Sequence, residues 1–144
     1  MASMKRCGLT LIDLLLTIVV IGILLVLGTA RMVSLVDASR VRSAATTLLA
    51  ALEAARGSAI RLGNGSELAL QAGRWEVRSV VAGDTVLSWS GVGHDPQGVL
   101  LTGAGAPIRF GGDGLAVGVA NRTMVVSRGS ISRTVVLSRL GRVR

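Results

Sequence analysis

The feature that most constrains this chain is an apolar run, Leu9 to Leu27, that holds one carboxylate and is introduced by Lys5-Arg6-Cys7-Gly8. As a helix, these 19 residues extend about 28 Å, close to the roughly 30 Å hydrocarbon core of a bilayer. The run is therefore read as membrane-spanning. Asp13 lies inside it. An acid costs on the order of 2.5–3.5 kcal/mol at the centre of a helix in lipid, and less near an end. Such a group needs a partner. A cut after Gly8 would leave a free amine on Leu9, four positions before Asp13 and on the same helical face. Lys5 and Arg6 hold the preceding segment on the cytoplasmic side by the positive-inside rule, which puts the rest of the chain across the membrane. Two other readings of the run stay open. A plain signal anchor would have the same basic start and apolar run, without needing Asp13. A cleaved secretory signal would use the small residues of Gly28-Thr29-Ala30, although Asp13 interrupts its core. Cys7 precedes the run, the wrong side for a lipoprotein.

The helical pattern does not stop at residue 30. Val41, Ala44, Ala45, Leu48, Leu49, Leu52, Ala55 and Ala59 recur at three- and four-residue steps, with charges at Arg40, Glu53, Arg56 and Arg61 between them. Gly63-Asn64-Gly65 is a stop signal, because both residue types tolerate the left-handed conformation that ends a helix. One helix is expected from about Leu9 to Leu62. Beyond residue 65 the period becomes two. Trp75, Val77, Ser79 and Val81 alternate with Arg74, Glu76, Arg78 and Val80. Shorter strands are expected at Glu67–Gln71, Thr85–Trp89, Val99–Thr102, Ile108–Phe110, Leu115–Val119, Arg122–Ser127 and Ile131–Ser138, separated by glycine-rich breaks. The fold class is α+β, a long N-terminal helix packed on an antiparallel β domain. With Cys7 the only cysteine, a chain cut after Gly8 has no disulfide, even in an oxidising compartment.

Gly8-Leu9-Thr10-Leu11-Ile12-Asp13-Leu14-Leu15 resembles the signal of type IV pilins and type II secretion pseudopilins, which carry Gly, Phe, Thr, Leu, Ile, Glu, Leu, Leu. The resemblance implies cleavage between Gly8 and Leu9 by a prepilin peptidase of the bacterial inner membrane, N-methylation of Leu9, and a role for Asp13 in filament assembly. Leu9 stands for the usual Phe and Asp13 for the usual Glu, which shortens the acid's reach by one methylene. The organisation then reads as a cytoplasmic leader at 1–8, a transmembrane part of the helix at 9–30, its periplasmic half at 31–64 and a β-rich domain at 65–144. Three later segments are similar to the GspH/FimT branch, the H-type pseudopilins and FimT-like minor pilins: Leu52 to Ile60, Ile108-Arg109-Phe110 with Asp113-Gly114, and Thr134 to Arg144. The absence of a proline near Ala30 points the same way, to a minor subunit.

The charge is uneven. From Arg31 onward there are 14 arginines against seven acids, and from Pro107 onward seven arginines against Asp113 alone. Guanidinium groups suit phosphate and carboxylate partners, although arginines alternating outward along strands also simply solvate a domain. In FimT-like relatives a terminal Gly-Arg-x-Arg is associated with DNA capture, and Gly141-Arg142-Val143-Arg144 matches it, with Arg128, Arg133 and Arg139 as an extension of the patch. Arg142 and Arg144 fall on one side of an extended chain. Trp75 and Trp89 are the candidates for base stacking. H-type pseudopilins often end in a similar way, so the motif leaves both readings open. The expected partners are the peptidase, other minor pilins or pseudopilins, the inner membrane and, on the second reading, DNA. No enzymatic role, cofactor or metal is expected: His94 is the only histidine, and no phosphate-binding Gly-x-x-x-x-Gly-Lys occurs. The leading expectation is a subunit of a type II secretion pseudopilus. The alternatives are a DNA-binding minor pilin and a membrane-anchored β domain unrelated to filaments.

Overall fold

The computed structural model describes residues 10–118 and 121–144, except for the side chains of residues 27–31. Gly8 and Leu9 lie outside the described residues. One helix, α1, runs from Leu11 to Leu62. Gly63 ends it with φ of 63° and an amide that donates to the Ile60 carbonyl at 3.3 Å. Eight strands follow: β1 Ser66–Leu70, β2 Arg74–Val81, β3 Asp84–Val92, β4 Leu100–Thr102, β5 Ile108–Phe110, β6 Ala116–Val117, β7 Arg122–Arg128 and β8 Ile131–Leu137. Every expected strand forms, with ends that coincide or shift by at most three residues. The largest change is the Leu115–Val119 segment, which pairs only over Ala116–Val117; Val119 lies outside the described residues.

The chain divides into two units, one ending at Val36 and the other spanning Asp37–Arg144. In the second unit, two antiparallel sheets share one core. The five-stranded sheet has the order β3-β2-β1-β5-β6, and the three-stranded sheet the order β4-β7-β8. The helix contributes Val41, Ala44, Ala45, Leu48, Ala51, Leu52, Ala55 and Ala59, all buried. Leu68, Trp75, Val77, Ile108 and Phe110 face them from the larger sheet. Leu101, Met124, Val126, Val135 and Leu137 do so from the smaller. Alanines at so many core positions let β1 come close to the helix backbone, and the buried Ser66 hydroxyl donates to the Ala55 carbonyl at 2.7 Å. In β2, Trp75, Val77 and Ser79 are buried as the alternation requires. Val81 is exposed, because it is the last residue before the Ala82-Gly83 hairpin turn and the core does not reach that far.

Candidate functional site

In the first unit, Thr10 caps the helix. Its hydroxyl and carbonyl oxygens accept from the Asp13 amide at 3.3 and 3.0 Å. Asp13 therefore sits in the first turn, where a carboxylate is favoured by the partial positive charge of the unpaired amides. That gives the acid a local reason to be there, independent of any partner subunit. Its Leu9 partner falls outside the described residues. Around this helix the apolar side chains are exposed on every side, from Ile12 at 77% to Val20 at 47%. A helix that is apolar all round requires cover from lipid or protein. Among the described residues, no helix is long and apolar enough to cross a membrane.

In the second unit the arginines separate into distinct roles. Arg128 is held: its Nε donates to Asp37 Oδ1 at 2.5 Å, and its Nη1 to the Gly98 and Gln97 carbonyls at 2.8 and 3.1 Å. Arg122 clamps the loop before β5 through the carbonyls of Ala104 and Ala106. Arg56 donates to the Gly114 carbonyl at 3.3 Å. Arg133 shares the strand parity of the inward residues Val135 and Leu137, but lies beyond the core and lines a cleft with Arg42. Arg139 is exposed in the turn after β8.

Beyond the turn that ends at Gly141, the last three residues run back antiparallel along β8, with one bridge between Leu137 and Val143. Val136 and Arg144 exchange amide–carbonyl bonds at 2.8 and 3.0 Å, and the Ser138 amide donates to the Arg142 carbonyl at 2.9 Å. Val143 packs against the core, so Arg142 and Arg144 point outward together beside Val136 and Leu140. No acid pairs with either guanidinium among the described residues. Gly141 is buried with φ of 71°, and a Cβ there would strike the Gly114 carbonyl and the Arg56 side chain. The glycine is thus required by packing, whatever the arginines bind. The two tryptophans differ in exposure. Trp75 is fully buried and unable to stack on a base, because its side of β2 faces the helix; Trp89 is half-buried. His94 lies half-buried in its loop, its ring centroid 6.3 Å from that of Trp75. No group of ligand-type residues is placed to hold a metal ion among the described residues.

An N-terminal helix with an exposed apolar first part and a second part buried under antiparallel sheets defines a type IV pilin-like protein. The fold is similar to that of the type IV minor pilin FimU of Pseudomonas aeruginosa. In one crystal form the identity is 20%, the TM-score 0.61, and the match covers 74% of this chain and 87% of that one. In a second crystal form the identity is 21%, the TM-score 0.56, and the coverage 72% and 90%. The family model of type II transport protein GspH matches residues 44–141, and the chain belongs to that family. No curated protein is similar enough in sequence to match.

Proposed function

We propose that this protein is a minor pseudopilin that is cut after Gly8 by a prepilin peptidase, methylated on Leu9, and assembled from the inner membrane into the pseudopilus of a type II secretion system. The carrying observation is the helix of the first unit, exposed and apolar on all sides, joined to a domain of the GspH family. Such a surface is stable only when lipid or other subunits cover it. Inner-membrane insertion through residues 9–30 supplies the first cover and filament packing the second, with the β domain on the periplasmic side. The role is structural and needs no catalytic group or cofactor. Co-expression with a prepilin peptidase tests it: intact mass should show loss of eight residues and a Leu9 terminus, and Gly8→Arg should block the cut. Cleavage after Ala30, or none, would overturn the proposal.

The exposed pair Arg142 and Arg144 favours a second reading, a minor pilin that captures DNA by phosphate contacts without sequence preference. On that reading the full chain in neutral detergent binds duplex DNA with strong salt dependence. Replacing both arginines lowers the slope of log affinity against log salt by about two. Absence of binding at low salt would refute it.

A further inference from the structure

β3 forms one edge of the five-stranded sheet and pairs only with β2 among the described residues. It runs for nine residues without proline, lysine or arginine. Edges of this length are usually guarded by such residues, which discourage a further strand from adding. Val86, Leu87 and Val92 are exposed along it. Its one irregularity is Ser88, an extra residue between Leu87 and Trp89, which face Arg78 and Val77. The amides and carbonyls of its outer side have no partner among the described residues.

Beside this edge, between β3 and the helix, lies an open groove of about 500 Å³. Ser88 and Trp89 form its strand wall, and Ala54, Gly57 and Ile60 the middle of its helix wall. Exposed charges stand at the two ends of the helix wall, Glu53 and Arg61. Neither has an ionic partner among the described residues; Arg61 Nη2 donates to Ser58 Oγ at 3.3 Å. Strand and helix run in opposite directions. Asn64, just past the helix, donates to the Val80 carbonyl at 3.2 Å, so β2 ends and β3 begins beside the last turn of α1. Arg61 therefore lies toward Asp84, and Glu53 toward Val92. The rise from Glu53 to Arg61 is about 12 Å, which an extended chain covers in about four residues. Residues four apart in a strand point to the same face.

We infer that the β3 edge and this groove take up an extended segment of another protein, added antiparallel to β3, in which a base, an apolar residue and an acid follow at two-residue steps. The segment's main chain continues the ladder of β3. Its base meets Glu53, its apolar side chain rests on Ala54, Gly57 and Trp89, and its acid meets Arg61. Antiparallel addition puts the base first, because the segment then enters beside Val92. The segment belongs to another protein because this chain lacks the pattern. Of its eight acids only Asp113 has a base four positions earlier, Arg109, and there the middle residue is Gly111. Arg109 is also already paired in β5. The inference concerns the second unit alone and holds whether or not the chain is cut after Gly8.

The test titrates two dye-labelled, end-blocked peptides with the full chain in neutral detergent, read by fluorescence anisotropy. Their sequences are Thr-Lys-Thr-Val-Thr-Glu-Thr and the charge-reversed Thr-Glu-Thr-Val-Thr-Lys-Thr. The first should bind about tenfold more tightly, because reversal removes two surface ion pairs, each worth about threefold. Glu53→Arg with Arg61→Glu should invert the preference, and that gain shows that the variant is folded. Methylating backbone nitrogens separates strand addition from simple lodging in the groove. Amides of alternate residues in a strand point to the same side. One peptide is therefore methylated on the valine and glutamate nitrogens, and another on the two threonines that flank valine. One of these should lose binding at least about tenfold and the other keep it. Equal affinity for the two charge orders would overturn the inference, as would equal effects of the two methylation patterns or no binding of either peptide at about 1 mM. A dimer of the full chain that the first peptide dissociates, seen by native mass spectrometry, would place a second copy on this edge and overturn the assignment to another protein.

Discussion

Replacing Gly141 by alanine tests how the C-terminal segment is held, and separates its packing role from anything its arginines bind. At φ of 71° an L-residue carries a backbone penalty of about 1–2 kcal/mol. The new Cβ would also meet the Gly114 carbonyl and lie 3.0 Å from Arg56 Nε. Neither neighbour yields freely: one is backbone, and the other donates to that same carbonyl. The tail has one alternative, which is to peel from β8. Peeling loses three backbone hydrogen bonds, each worth about 0.5–1.5 kcal/mol net, and exposes Val143. By either route the expected destabilisation is about 2–4 kcal/mol. Urea unfolding of the full chain in neutral detergent, followed by tryptophan fluorescence, should show the midpoint falling by roughly 1–2 M for an m-value near 2 kcal/mol/M. Gly105→Ala is the internal control, since its φ is 53° but a Cβ there meets nothing within 4 Å. It should cost only the conformational penalty. If Gly141→Ala is no more destabilising than Gly105→Ala, the close packing around Gly141 contributes nothing, and the account of the tail is wrong.

Leu48→Ala should destabilise the second unit by about 2–5 kcal/mol, because Leu48 is fully buried at the centre of the helix face; a loss below about 1 kcal/mol by the same assay would mean the core is placed wrongly. Ala82 has φ of 51° in the two-residue turn between β2 and β3, where asparagine is preferred, so Ala82→Asn should stabilise by about 0.5–1 kcal/mol; a fall in the unfolding midpoint would refute the turn assignment. Asp13→Ala should leave insertion and cleavage after Gly8 intact, while crosslinking to the other minor subunits drops. Asp13→Glu should be tolerated, and undiminished crosslinking of the alanine variant would leave the acid with only its place in the first helical turn.

Much of the fold is legible in the chain itself, because the period of apolar residues is a local property. The three- and four-residue steps from Val41 to Ala59 mark the buried helix face, and Gly63 marks its end. The strands follow from two-residue alternation broken by glycines, to within a few residues. The apolar run with its basic start, glycine and carboxylate carries the pilin resemblance. Sequence alone could not divide the strands between two sheets, since pairing joins segments as distant as Ser66 and Phe110. Nor could it sort arginines that are chemically alike. Arg128 is held by Asp37 across 91 positions, Arg133 joins Arg42 across a cleft, and Arg142 and Arg144 share the outer side of the C-terminal segment. Trp75 offers no aromatic face to solvent, because the alternation of β2 places it on one face with Val77 and Ser79, and the packing of the helix on that face buries it. Local periodicity determined which elements form; long-range packing decided which of their side chains remain free to meet a partner.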